Sequence, residues 1–331
     1  MIQRFAFPLL VLVGGAVSAL ATSQEIIQRH LDATPGGKLV VDVGFGTVEV
    51  TGGGDDKVVA INARRFVDIS DKAREKEFVE ASPITISNEN NVITIRARTN
   101  RQWLWNDTHT RMEAHYSVQV PKNFNADLHT GGGAIAVTEM SGQLHANTAG
   151  GQLKFTRVHG PTDAETSGGA VKLTDCEGTL KIHSSGGKIE SAGGKGSLDA
   201  QTAGGQIAVR DFAGEVDIES SGGQLNLSDI AGPLKASTAG GGINAVLSSV
   251  TDVKLETNAG AITVAVPPQG GFSVDAQSSI GGVKSDLPVN AERNSRERLV
   301  GSLNGGGKEL FLRTGAGSIS IKAASGERAS R

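Results

Sequence analysis

The chain has 331 residues, of which 45 are glycine, and only 4% are aromatic and 38% hydrophobic. A compact globular core of this length normally uses more large apolar side chains, so the composition favours stacked repeats over an ordinary globular domain. The formal net charge of −3 shows no basic bias, which excludes the charge signature of a nucleic-acid-binding protein.

Residues 1–21 have the pattern of an export signal. Arg4 is followed by an apolar run from Phe5 to Val17, and Ala19-Leu20-Ala21 fits the small-x-small cleavage rule. The alternative is an uncleaved membrane anchor, but the run contains Pro8 and is shorter than the ~20 residues that span a bilayer. We therefore predict a mature chain that begins near Thr22 and has no membrane span. It is expected in the periplasm, on the cell surface or secreted.

Residues 22–128 are less regular, and we predict β-structure that caps one end of a repeat array. Alternation indicates strands at Val92 to Arg96 and Tyr116 to Val120, and one helix is predicted at Asp71 to Ala81. Trp103, Trp105 and Tyr116 lie within 14 residues of one another. Exposed aromatics among polar residues suit contact with a glycan or a protein; the alternative is that they plug the N-terminal end of the core.

Residues 129–265 contain a strict repeat of 18 residues. Glycines recur every nine residues from Gly133 to Gly241, and after each glycine apolar side chains alternate with mostly polar ones. Alternation with period two is typical of a half-buried strand. We therefore predict an all-β fold, a single-chain β-solenoid whose 18-residue coils each contain two nine-residue strand-turn units. Thr/Ser-x-Gly-Gly segments begin at Thr148, Thr166, Ser184, Thr202, Ser220 and Thr238.

The repeat also assigns the residues at its turns. Glycine is expected where the corner needs a positive φ or a close approach of two backbones. Cys176 falls where other coils have aliphatic or aromatic residues, so we interpret it as a small buried hydrophobe. Asp175, Asp211 and Asp229 share one corner and are interpreted as turn formers, with a shared cation as the alternative. Residues 266–331 are predicted to be irregular rungs and a cap, with a polar loop at 285–309.

Val120-Pro121 is followed by the segment from Ala126 to Val137 and then by the tandem Thr/Ser-x-Gly-Gly-x-Leu units. On these motifs the chain resembles the bacterial putative-adhesin family of β-strand-repeat proteins, a domain of unknown function, over roughly residues 37 to 323. It implies an exported β-solenoid and supplies no catalytic residues. Members typically carry Ser-Gly-Asp-Ile units, whereas here the Asp position is occupied by Gln152, Ala170, Lys188, Gln206 and Gln224.

The two predicted outer faces differ in charge. One carries six carboxylates and two lysines, namely Asp163, Glu165, Asp199, Glu215, Asp217, Glu219, Lys181 and Lys235. The other carries four cations with Glu190, namely Lys154, Lys172, Lys188 and Arg210. Opposed charges could align a partner or another copy of the protein. The alternative is an ordinary mixed solvated surface.

We predict an exported adhesin-like or scaffold protein of the cell envelope, not an enzyme, without metal or cofactor. The sequence contains no nucleophile motif, zinc-ligand pair or phosphate-binding loop. An envelope glycan or a protein is the expected partner, and nucleic acid is not. Two alternatives remain: a self-assembling filament, and a polysaccharide-acting enzyme that uses acids such as Asp163, Glu165 and Glu219. The candidate binding residues are Trp103, Trp105, Tyr116, Lys154, Lys172, Lys188 and Arg210.

Overall fold

The computed structural model describes residues 23–98 and 111–324, which contain 26 strands and one helix. The first elements are β1 (Ser23–Asp32), β2 (Lys38–Val43), β3 (Thr47–Thr51), β4 (Val58–Asp68), α1 (Lys72–Ala81), β5 (Thr85–Glu89), β6 (Val92–Ala97), β7 (Arg111–Gln119) and β8 (Asn125–Thr130). The repeat region follows with β9 (Ile135–Thr138), β10 (Leu144–Thr148), β11 (Leu153–Thr156), β12 (Thr162–Thr166), β13 (Val171–Ser184), β14 (Ile189–Thr202), β15 (Ile207–Ser220), β16 (Leu225–Ala231), β17 (Leu234–Thr238), β18 (Ile243–Leu247), β19 (Val253–Ala259) and β20 (Ile262–Val266). The last strands are β21 (Phe272–Ile280), β22 (Val283–Ser285), β23 (Val289–Asn294), β24 (Arg298–Leu303), β25 (Lys308–Ala316) and β26 (Ile319–Ala323).

The strands form because apolar and polar residues alternate along them. In β11, Leu153 and Phe155 are fully buried, and Lys154 between them is exposed. Successive side chains of a strand point to opposite sides, so one side of each strand faces the interior and the other faces water. The predicted all-β class is confirmed.

From β8 to β17, parallel pairing joins residues that are 18 positions apart: Leu144 pairs with Thr162, and Leu153 pairs with Val171. Pairings nearer the two ends have other separations; Leu234 pairs with Val253, 19 positions away. The pairs build two ladders. Ladder A runs through β2, β8, β10, β12, the second halves of β13, β14 and β15, then β17, β19 and β25. Ladder B runs through β3, β9, β11, the first halves of β13, β14 and β15, then β16, β18, β20 and β26. The three 14-residue strands pass from one ladder to the other and join all strands into one sheet.

The inner sides of the two ladders enclose one hydrophobic core. The coil that contains β13 contributes Val171, Leu173, Leu180 and Ile182, each at most 2% exposed. Four aliphatic side chains cannot make a core alone, and each coil becomes stable only when its neighbours cover it from both sides. The core is therefore a property of the stack.

One corner of the stack is closed by a hydroxyl group. The Thr166 hydroxyl donates to the Gly151 carbonyl oxygen of the preceding coil, at 3.0 Å, and accepts from the Gly169 amide, at 3.1 Å. A Cβ atom on Gly169 would overlap that same carbonyl group, so only glycine fits. The same pair of hydrogen bonds repeats at Thr130, Thr148, Ser184, Thr202, Ser220 and Thr238.

The opposite corner uses left-handed backbone. Asp175, Asp211 and Asp229 have φ of 52°, 52° and 56°, and Arg157 holds the same position with φ of 51°. Aspartate tolerates this conformation better than most residues. The geometry favours the interpretation of these aspartates as turn formers, and no cluster of three potential metal ligands occurs in residues 23–98 and 111–324.

Antiparallel strands complete the N-terminal end. β4 pairs with β7 and β1 pairs with β4 beside ladder B, while β5 pairs with β6 beside ladder A. The predicted helix is confirmed as α1, with Asp71 as its N-cap. Its Glu75 is buried and accepts hydrogen bonds from Lys72, Ile69 and both the hydroxyl and the amide of Ser23. This cluster attaches the helix to β1 and to the end of β4.

The C-terminal end corrects one prediction. The expected loop at 285–309 is wrong, because β23 and β24 form an antiparallel hairpin there and β24 pairs with β21. Val289 and Leu299 pack against the core, which draws this polar segment into the sheet. The outermost strand, β23, carries Glu292 and Arg293, and charges on an edge strand discourage pairing with another chain.

Candidate functional site

The predicted aromatic cluster is only partly described. Trp103 and Trp105 lie outside the described residues. The chain leaves the described structure at Arg98, which donates to Asp42, and returns at Arg111, whose guanidinium lies 5.8 Å from the centre of the Phe66 ring.

Tyr116 corrects the expectation of an exposed aromatic. Its side chain is 0% exposed, because alternation along β7 turns residues 116 and 118 toward the core, where Tyr116 pairs with Val48 and Ala63. Burial raises the pKa of the Tyr116 hydroxyl to about 12; the Arg65 charge opposes this rise and Glu25 adds to it. No partner in the described part of the chain hydrogen-bonds to that hydroxyl. Tyr116 therefore cannot contact a ligand at the surface.

The four predicted cationic residues lie together on the outer side of ladder B. Lys154 of β11 pairs with Lys172 of β13, and Lys172 pairs with Glu190 of β14. Lys188 precedes β14, and its carbonyl oxygen accepts from the Val171 amide, so it lies beside this column. Arg210 lies one coil further along, in the strand that follows Glu190. We call Lys154, Lys172, Lys188, Arg210 and Glu190 the basic patch.

The spacing within the basic patch is set by the backbone. Neighbouring strands of a sheet lie ~4.8 Å apart, and alternate residues along one strand lie ~6.8 Å apart. The four cations therefore fall within an area of roughly 15 Å by 14 Å. Amide side chains flank them on the same face at Gln152, Gln206, Gln224 and Asn226.

The outer side of ladder A carries the opposite charge. Asp163 and Glu165 lie on β12, Asp199 on β14, and Asp217 and Glu219 on β15, all pointing away from the core. Lys235 of the next strand forms an ion pair with Asp217 at 2.7 Å. The hydrogen bond that Lys235 donates to Asp217 raises the pKa of Lys235, against the opposing effect of burial. We call these residues, with Glu215, Lys181 and the outer residues of β19, the acidic face.

The Toastrack DUF4097 family model matches residues 81–322 of the chain. The chain belongs to this family. The match includes the last residue of α1, the strands from β5 to β25 and all but the last residue of β26, and it contains the basic patch and the acidic face. The resemblance inferred from the repeat motifs is thus confirmed.

Solved structures with similar chains have low identity to this Toastrack protein. A putative adhesin from Parabacteroides distasonis is 9% identical, with 89% of this chain and 97% of that chain covered and a TM-score of 0.44. A putative cell adhesion protein from Clostridium sporogenes is 12% identical, with 92% and 100% covered and a TM-score of 0.23. A putative lipid binding protein from Parabacteroides distasonis is 12% identical, with 89% and 96% covered and a TM-score of 0.39. These likenesses carry no argument about function, and no curated protein matches the chain.

Electrostatics distinguish the basic patch from the rest of this Toastrack surface. Lys188 is hydrogen-bonded to Glu190 at 2.5 Å, and this bond, helped by the charges of Lys172 and Arg210 and opposed by burial, lowers the pKa of Glu190. Lys154, Lys172 and Arg210 take part in no ion pair within the described residues. Like charges directly opposite on neighbouring strands are destabilising. The Lys154–Lys172 pair therefore costs folding free energy, and the attraction between Lys172 and Glu190 on the next strand offsets part of this cost.

The sequence analysis missed three contacts between histidines and carboxylates. His145 Nδ1 lies 3.7 Å from Asp163, and His159 Nδ1 lies 3.4 Å from Glu177. Their positions differ by 18, so the repeat itself could have revealed both. His115 Nε2 lies 3.3 Å from Glu49 at the irregular N-terminal end, where no spacing signals the pair.

The sequence predicts a mature chain without a membrane span. In the described ranges, no helix has the length and apolar character to cross a bilayer.

Proposed function

We propose that the chain is a β-solenoid of the bacterial cell envelope that acts as an adhesin-like binding scaffold without catalytic activity. In this proposal each coil has 18 residues and two nine-residue strand-turn units. The uniform pairing of residues 18 positions apart in β8 to β17 supports the coil length. The apolar run and Ala19-Leu20-Ala21 support export, although residues 1–21 lie outside the described residues.

The basic patch carries the proposal. Lys154, Lys172 and Arg210 are exposed and unpaired within the described structure, and their backbone positions are fixed by parallel ladders on both sides. Cations held at fixed spacing lose less conformational entropy on binding than cations on a mobile loop. The partner is therefore a negatively charged envelope component, bound over several coils at once.

The acidic face differs from the basic patch, because part of its charge is paired. The acidic face neutralises part of its own charge through the Lys235–Asp217 ion pair. Asp163, Glu165 and Glu219, the acids considered for an enzyme, lie exposed on this face. This proposal gives them no catalytic role.

Co-sedimentation with isolated cell envelopes tests the function. The wild-type protein is expected to sediment with the envelopes, and Lys154→Gln/Lys172→Gln is expected to stay largely in the supernatant. The matched control, Lys195→Gln/Lys284→Gln, removes the same charge from exposed positions outside the basic patch and is expected to behave as the wild type. Equal sedimentation of both variants would contradict the assignment of binding to the basic patch.

A further inference from the structure

The basic patch and the acidic face share one lattice. Both lie on ladders built from the same coils. In each ladder, a residue pairs with the residue 18 positions further along the chain, in the next coil. Their outer side chains therefore repeat with the same ~4.8 Å spacing along the stack. Every copy of the protein therefore carries, in its acidic face, a surface with the same repeat distance as the basic patch and the opposite charge.

We propose that the basic patch of one molecule binds the acidic face of a second copy. This inference rests on the proposed function, because it names the partner of the same patch. Charge complementarity carries the argument: three cations without an intramolecular partner lie on one ladder, and a carboxylate-rich surface lies on the other. Complementary potentials favour one docking arrangement over others and accelerate encounter.

The order of charges along the two ladders allows a complementary alignment. With the two stacks parallel and offset by two coils, β11 faces the second half of β14, which places Lys154 opposite Asp199. The next coil places Lys172 opposite Asp217 and Glu219. The following two coils place Glu190 opposite Lys235, and Arg210 opposite β19, where Glu256 is paired with Lys254 at 2.9 Å. Alignment without an offset would instead bring Lys172 against Lys181.

Other occupants fit the basic patch less well. A lipid surface would favour apolar side chains beside the cations, and a nucleic acid would favour aromatic side chains for stacking. The flanking positions are instead the amides Gln206, Gln224 and Asn226. An acidic polysaccharide could use the same cations and amides, but it would not require the acidic face.

The proposed contact joins two different surfaces. Such a heterologous contact does not close on itself when the stacks are parallel, so each added copy leaves a new basic patch free. The expected assembly is an open array whose length depends on protein concentration. Low salt strengthens the contact between the two faces, because charges interact over a Debye length of about 30 Å at 0.01 M salt but only about 3 Å at 1 M salt.

Sedimentation velocity with variants of the two faces tests the inference. The wild-type protein is expected to form species larger than a dimer at low salt and to be monomeric at about 1 M salt. Lys154→Gln/Lys172→Gln removes two positive charges from the basic patch, and Asp199→Asn/Glu219→Gln removes two negative charges from the acidic face. Each variant alone is expected to associate at least about tenfold more weakly, which corresponds to 1.4 kcal/mol. An equimolar mixture of the two variants is expected to form dimers and nothing larger, because only one complementary pair of faces remains.

The outcomes separate the inference from the proposed function. A wild-type protein that stays monomeric at low salt overturns the inference; if it still sediments with envelopes through Lys154 and Lys172, the binding function stands. Loss of association in the basic-patch variant alone would overturn the acidic face as the surface that the basic patch contacts. Association that persists in both variants would assign it to another surface. Circular dichroism of each variant verifies that the fold is retained.

Discussion

Thr202→Val tests the hydroxyl column, by which we mean the stacked hydroxyl groups of Thr130, Thr148, Thr166, Ser184, Thr202, Ser220 and Thr238 that close one corner of the stack. The Thr202 side chain is 4% exposed; its hydroxyl donates to the Gly187 carbonyl oxygen at 3.1 Å and accepts from the Gly205 amide at 3.2 Å. Both glycines are buried, and neither backbone group has another hydrogen-bond partner among the described residues. Valine keeps the shape of threonine but leaves both groups without a partner.

The expected cost follows from those two groups. A buried polar group without a hydrogen bond costs about 1–3 kcal/mol, and the added methyl group returns about 0.8 kcal/mol through burial. We therefore expect the free energy of unfolding to fall by about 2–4 kcal/mol. With a slope of about 2–3 kcal/mol/M in urea, the midpoint would fall by roughly 1 M.

Urea unfolding followed by circular dichroism measures this change. Thr174→Val is the matched control, because Thr174 points outward from ladder B and its hydroxyl forms no hydrogen bond within the described structure. The control is expected to stay within about 0.5 kcal/mol of the wild type. If Thr202→Val is as stable as Thr174→Val, the hydroxyl column does not stabilise the corner and the argument fails.

Three further predictions concern other buried groups. Gly169→Ala is expected to destabilise the fold by about 3 kcal/mol or more in the same urea assay, because its Cβ would overlap the backbone of the preceding coil. The control Gly168→Ala is expected to be near neutral, because its Cβ meets no atom within 4 Å. Equal losses of stability in the two variants would refute the close stacking of the coils. Burial acts to raise the pKa of Glu75, but hydrogen bonds from Lys72, Ser23 and Ile69 outweigh it and hold the pKa at about 2 against an ordinary 4.5. The stability from Glu75 is therefore complete above pH 4.5 and lost as pH falls toward 2, by up to about 3 kcal/mol, and Glu75→Gln should remove this part of the acid dependence in urea titrations at each pH. Burial also raises the pKa of the Cys176 thiol, against the lowering effect of backbone hydrogen bonds at Val158 and Thr174. A thiol reagent should therefore label Cys176 only after unfolding, and rapid labelling of the native protein would contradict its position in the core.

The sequence predicts the repeat region well because its period is visible in single residues. The nine-residue glycine spacing and the alternation at Leu153 and Phe155 are local signals, and they determine which side chains face the core. The same spacing places Lys154 and Lys172 in one column, so the candidate site follows from sequence once the coil is known.

The two ends were predicted less well because their contacts do not repeat. The pairing of β4 with β7 and the hairpin of β23 and β24 depend on long-range antiparallel contacts, for which the sequence shows no fixed spacing. Tyr116 shows the consequence: alternation within β7 is visible, but which of its two sides faces the core depends on β3 and β4. The hydroxyl column was visible as Thr/Ser-x-Gly-Gly, yet its role requires the carbonyl group of the preceding coil.

Distances between spin labels test the stacked-coil architecture most directly. In a Cys176→Ala background, labels at Lys154→Cys and Asn244→Cys lie in one outward column and are separated by five coils, which predicts ~24 Å between their backbone positions. Moving the first label to Ala136→Cys adds one coil and should lengthen the distance by ~4.8 Å. A distance that does not increase with the number of intervening coils, or one that exceeds the stacked value several-fold, would contradict the architecture and both charged faces built on it.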